Sequence, residues 1–139
     1  MATTSTTDEH VPGQIDMLAD HHASVIADVL EHARLTWRTE RELQAEIADA
    51  LTRAGIAVER EVELGDDAGR IDFMSGTVGV EVKIKGATPA VARQLQRYAH
   101  SPRVAHLLLV TTRPHHLTGM PARLADVAVD VVFLTGGAW

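Results

Sequence analysis

The chain has 139 residues, 45% of them hydrophobic and 23% charged, with a mean hydropathy of −0.02; this is the composition of one globular domain and excludes a disordered or fibrous chain. It contains no Cys, which excludes disulfides, thiolate metal sites and cysteine nucleophiles and leaves carboxylate, imidazole or backbone oxygen to hold any metal. The formal net charge is −6, yet residues 1–37 hold six acids against one base while residues 82–125 hold seven bases and no acid, so the second half of the chain can meet a polyanion although the whole is acidic.

Residues 1–12 are polar, end at Val11-Pro12-Gly13 and read as a disordered tail. The opening MATTSTTDEH lacks the basic and apolar regions of a signal peptide, and no apolar run approaches the roughly 18 residues of a membrane helix; a cytoplasmic protein without membrane contact is expected. Residues 13–37 form a separate unit. From Gln14 to Leu35 the apolar residues Ile15, Leu18, Val25, Ile26, Val29, Leu30 and Ala33 recur near a 3.6 period, which predicts an amphipathic helix used for packing or for homodimerisation. Residues 38–139 read as the main domain. Thr39 is a candidate N-cap for a second helix that runs to Ala54 and stops at Gly55, with the stripe Leu43, Ile47, Ala50, Leu51 and Ala54.

Three strand-like segments follow, Ala57–Leu64, Arg70–Met74 and Val78–Lys85, separated by Gly65-Asp66-Asp67-Ala68-Gly69 and Ser75-Gly76-Thr77; they predict an antiparallel meander. A helix from Thr88 to His100 has Pro89 in its first turn and ends at Ser101-Pro102. Val104–Thr111, apolar on both faces, predicts a covered central strand. The loop Arg113–Pro121 leads through a short helical piece to a last strand at Val127–Leu134. The order predicts an α/β fold, a mixed β-sheet flanked by helices.

In Val78–Lys85 the alternation places Val80, Val82 and Ile84 on the core face and Glu81, Lys83 and Lys85 on the other. Asp72 stands between Ile71 and Phe73, so the same alternation points it away from both, and a hairpin turning at Ser75–Thr77 brings it beside Glu81. Two adjacent carboxylates with a Lys suit a hard divalent cation such as Mg²⁺, although half-exposed hairpins also show this spacing. On the second helix Glu40 falls within the angular range of Ile47 and Leu51, whereas Glu42 and Glu46 fall outside it. An acid on the packed face needs a metal or a Lys as partner, unless its first-turn position leaves it exposed to the helix dipole. Gln94 and Tyr98, four apart, share a face of the third helix.

These residues resemble the PD-(D/E)XK nuclease superfamily, over roughly Glu40 to Val110. Glu40-Arg41-Glu42-Leu43 looks like the first-helix motif of Holliday-junction resolvases; Asp72, Glu81 and Lys83 match the strand motif; Gln94-Leu95-Gln96-Arg97-Tyr98 matches the Q-x3-Y motif of the RecB-like branch. Ile71 stands where the family name has Pro. The resemblance implies a restriction-endonuclease-like core and a metal-dependent DNA nuclease working in DNA repair, recombination or phage and defence DNA processing, with a catalytically inactive nucleic-acid-binding module of the same fold as the alternative. It implies catalytic residues Glu40, Asp72, Glu81 and Lys83. Asp72, Glu81 and the Val82 carbonyl would hold Mg²⁺ or Mn²⁺, with Glu40 joining directly or through water, and Lys83 would orient or deprotonate the attacking water or hold the phosphate charge. Gln94, Tyr98, Lys85, Arg93 and Arg97 would contact DNA.

The remaining candidates point elsewhere. His21-His22 and His115-His116 invite a zinc reading, but neighbours on a helix diverge by about 100° and no acid flanks the second pair; His115 and His116 read as DNA-facing or solvated.

Overall fold

The computed structural model describes residues 12–65 and 67–136, with side chains from Met17 onward. The reading of residues 1–11 as a tail lies outside the described residues. Pro12 belongs to the first helix, α1 (Pro12–His32), and is followed by α2 (Glu40–Arg53), β1 (Glu59–Glu63), β2 (Arg70–Ser75), β3 (Val78–Lys83), α3 (Thr88–Ala99), β4 (His106–Thr111), α4 (Pro114–Gly119), β5 (Arg123–Leu124) and β6 (Val127–Phe133). The short helix thus falls early in the expected loop, and β5, a two-residue strand antiparallel to β6, is an addition the sequence did not announce. No helix among the described residues is long and apolar enough to cross a membrane.

The strands form one six-stranded sheet in the order β1-β2-β3-β4-β6-β5. The first three make the expected antiparallel meander, β3 pairs with β4 in parallel, and β4 with β6 in parallel. Parallel neighbours need crossover connections, which α3 and the α4–β5 segment supply. Both faces are covered. On one side α1 and α2 pack Ile26, Leu30, Leu43, Ile47 and Leu51 against Phe73, Val80, Val82, Leu108 and Val110. On the other, α3 packs Val91, Leu95 and Tyr98 against Ile71, Met74, Leu107 and Leu109. This double cover is why Leu107–Val110 are apolar without alternation.

The helix α1 shares its apolar layer with α2 and the sheet. Its buried stripe is Ala19, Ala23, Ile26 and Leu30, whereas Leu18 and Val25 are exposed. Small alanines at i and i+4 let the helix approach the sheet closely; Leu18, one position from Ala19, is turned about 100° away.

Capping decides where α2 begins. Thr39 Oγ1 accepts from Glu42 N at 3.1 Å, and Glu42 Oε1 accepts from Thr39 N at 3.3 Å and from Arg38 N at 2.7 Å, a reciprocal box that satisfies the free amides of the first turn. Glu42 is thereby used at the helix end, and Glu40, on the packed side, is free to reach the sheet.

Candidate active site

The carboxylate cluster arises where two backbone ladders lapse. The β2–β3 register runs from Ser75↔Val78 to Phe73↔Val80 and stops there; the β1–β2 register omits the pair Glu61–Asp72. Glu61 has φ 53°, a left-handed conformation uncommon for a residue with a side chain. The alternation changes phase at this break. Phe73 lies in the α1/α2 layer, but Ile71 joins Met74 in the α3 layer, its Cδ1 over Gly79 at 2.6 Å from where a Cβ would stand. The expectation that Ile71 and Phe73 share one face is therefore corrected: regular pleating does not hold through Asp72.

Amides freed by the break are taken by the acids. Asp72 N donates to Glu81 Oε1 at 3.2 Å, and Val82 N donates to Asp72 Oδ2 at 2.8 Å, so each carboxylate clasps the opposite strand. Glu81 is buried, and Lys83 Nζ lies 3.5 Å from its Oε2 with 21% of the side chain exposed. Glu40, half-buried at the start of α2, accepts from Ile84 N at 3.2 Å through Oε1. Val82 turns its side chain into the α1/α2 layer. The structure thus brings Glu40, Asp72, Glu81 and Lys83 to the end of β3, from three elements.

Burial and proximity give these acids unusual proton affinities. Glu81 is pushed up to about 8, first by burial and then by the charge of Asp72, with Lys83 opposing. Asp72 is raised as well, chiefly by burial, against the stabilising amide of Val82. The pair therefore resists carrying two negative charges at neutral pH, an imbalance that a divalent cation relieves. Among the described residues there is no group of three His, Asp or Glu side chains that could hold a metal ion. Mg²⁺, which is held by one or two carboxylates and keeps several waters, does not require one; the donors present fit it.

Gln94 Nε2 donates to Tyr98 Oη at 2.8 Å, and Tyr98 Oη donates to the Arg70 carbonyl at 2.9 Å. Tyr98 is buried, and its hydroxyl is pushed well above its ordinary range by burial and by Glu81 and Asp72. It braces the strand that carries Asp72 and is withdrawn from solvent. Lys85, Arg93 and Arg97 lie toward the surface and form no ion pair among the described residues. Arg97 lines a surface cleft of about 450 Å³ with Leu64, Ala68, His100 and Pro102, and none of the four candidate catalytic residues lines it.

The histidines are placed differently from the sequence reading. His116 is fully buried against Thr111 and Gly86, so the DNA-facing or solvated reading fails for it, while His115 is exposed. His22 Nε2 stands 2.7 Å from Ser75 Oγ, whose hydrogen is donated to the Ala57 carbonyl at 2.7 Å; Ser75 accepts from His22 and is not an activated nucleophile. His106, unremarked in the sequence, is buried between Asp20 Oδ1 at 2.6 Å and Asp130 Oδ2 at 2.7 Å. Its signal was a polar residue opening an otherwise apolar strand, but both partners are distant in sequence. Comparison of the chain with protein-family models, with curated proteins and with solved structures found no match.

Proposed function

We propose that the chain is a metal-dependent DNA nuclease of the PD-(D/E)XK kind, hydrolysing phosphodiester bonds at Asp72, Glu81 and Lys83. The observation that carries this reading is the pair of neighbouring, largely buried carboxylates bound to each other's strands, with an ammonium 3.5 Å from one of them. The two carboxylates satisfy strand amides at the break, but neutral acceptors would serve that end without the cost of crowding two ionisable acids in the interior. On this reading the sheet and its helices are a restriction-endonuclease-like core with α1 added before it.

Asp72, Glu81 and the Val82 carbonyl would hold Mg²⁺ or Mn²⁺, with Glu40 completing the set directly or through water. Bound there, a metal would supply Lewis-acid chemistry, polarising the scissile phosphate and acidifying a water. Lys83, the more exposed member, orients or deprotonates that water or holds the phosphate charge. Gln94 Oε1, which has no hydrogen-bond partner among the described residues, would accept from a nucleotide, and Lys85, Arg93 and Arg97 would meet flanking phosphates. Tyr98 acts from behind, through Arg70. A homodimer, where a branched substrate demands two sites, would use the outer face of α1 with Met17, Leu18 and Val25.

The test is cleavage of labelled linear, circular single-stranded and four-way-junction DNA with Mg²⁺, Mn²⁺ or EDTA. Cutting that needs metal, yields 5′-phosphate ends and falls about a hundredfold or more in Asp72→Ala and Lys83→Ala is expected. Absence of cutting on every substrate, with DNA still bound, would leave a non-catalytic binding module.

A further inference from the structure

One buried ionisable side chain outside the carboxylate cluster touches the chain that carries Lys83 and Lys85. Beyond β4 the chain turns at Arg113 into α4, and His116 folds back into the interior with no exposed surface. Thr111, which pairs with Lys83 across the β3–β4 ladder, accepts from Arg113 N at 3.0 Å, and its Oγ1 stands 2.6 Å from His116 Nδ1. A carbonyl only accepts, so Nε2, which faces the Gly86 oxygen, carries a hydrogen, and in the neutral ring Nδ1 then accepts from Thr111 Oγ1. The Nε2 hydrogen is donated to the Gly86 carbonyl at 2.9 Å, and His115 Nε2 lies 3.2 Å from the same oxygen.

Gly86 is the hinge between Lys85 and α3. Its φ of +116° suits only glycine, so no side chain of its own can anchor the turn, and the carbonyl is what remains to hold. Upstream, the Lys83 carbonyl accepts from Thr112 N at 3.2 Å, and Ile84 N donates to Glu40 Oε1 at 3.2 Å. The segment Lys83–Gly86 is thus held at its two ends, the Lys83–Ile84 peptide group by Thr112 just past β4 and by Glu40 of α2, and the Gly86 carbonyl by α4.

The geometry points to His116 as a positioning residue: through Thr111 on one ring nitrogen and the Gly86 carbonyl on the other, it fixes the Lys83–Gly86 segment, so that Lys83 stands beside Glu81 and Lys85 faces outward. Its consequence for catalysis rests on the nuclease reading; the clamp itself does not.

Amide hydrogen exchange at Ile84 and Thr112, whose N–H groups are hydrogen-bonded at this segment, reads the clamp in the metal-free protein, and kcat and KM for a cleaved DNA read its consequence. His116→Gln retains an amide donor at the reach of Nε2, whereas His116→Asn retains only the interaction near Nδ1. Exchange within about threefold of wild type is expected for His116→Gln, and acceleration of about tenfold or more for His116→Asn, the net worth of one hydrogen bond. In parallel kcat falls about tenfold in His116→Asn, because Lys83 is displaced, with a smaller rise in KM from the loosened Lys85. Should either variant fail to fold, Thr111→Val against Thr111→Ser gives the same contrast from the other side of the ring. Equal exchange in the two members of a pair would overturn the clamp. A wild-type protein that does not cut would overturn the nuclease reading while exchange still decides the role of His116.

Discussion

Glu81 shows how one side chain's surroundings create a measurable property. Its carboxyl is held at about 8, against an ordinary 4.5, by burial and by Asp72. Below pH 4.5 both folded and unfolded chains carry the proton; between 4.5 and 8 the folded chain keeps a proton that the unfolded chain has released, so stability declines as pH rises through that window. The metal-free protein should melt at falling temperature from about pH 5 to about pH 8, and Glu81→Gln, which keeps the shape without the charge, should flatten the slope. Saturating Mg²⁺ should flatten it too, because a cation favours the ionised pair. Melting curves across pH with EDTA or Mg²⁺ check this; a Glu81→Gln slope equal to wild type would refute it.

At the scale of the element, α2 joins stability to the site through its first turn. The Thr39–Glu42 box fixes the turn in which Glu40 reaches Ile84 N. Thr39→Ala should cost about 1 kcal/mol and lower the melting temperature by roughly 3–5 °C for a chain of this size. Cleavage should fall more than stability alone explains, because fraying displaces Glu40; calorimetry and single-turnover rates on the same sample compare the two. The β2 strand makes a complementary point. Its irregular step at Asp72, opposite the left-handed Glu61, frees the amides that the two carboxylates then accept, so the site is built from a fault in the pleat.

At the scale of the whole molecule, charge is segregated, with net −6 overall but seven bases and no acid in residues 82–125. On the proposed nuclease reading, DNA affinity should fall steeply with salt despite the acidic total. Replacing Lys85, Arg93 and Arg97 together by Ala should reduce the slope of log K against log salt by about 0.9 for each phosphate that is no longer neutralised, roughly 2–3 units in all. The fold should change little, since all three side chains lie toward the surface. Anisotropy titrations over a range of KCl concentrations in EDTA measure it; an unchanged slope would move the DNA-facing surface elsewhere.

Periodicity and punctuation in the sequence alone determined much of the architecture. The two leading helices, the antiparallel meander, the helix from Thr88, the covered strand at Leu107–Val110 and the placing of Glu40 on the packed side all follow from spacing, which local backbone geometry enforces. Of the site, the neighbourhood of Asp72, Glu81 and Lys83 was legible because a hairpin is a short-range object. What only the tertiary structure decided lies in contacts between residues far apart in sequence: the phase change at Asp72 with Glu61 across the ladder, Tyr98 against Arg70, His106 between Asp20 and Asp130, and His116 beneath Gly86. A histidine's spacing says where its Cβ points, whereas its hydrogen-bond partners are set by which strands the sheet brings alongside, and that choice belongs to packing of the whole chain.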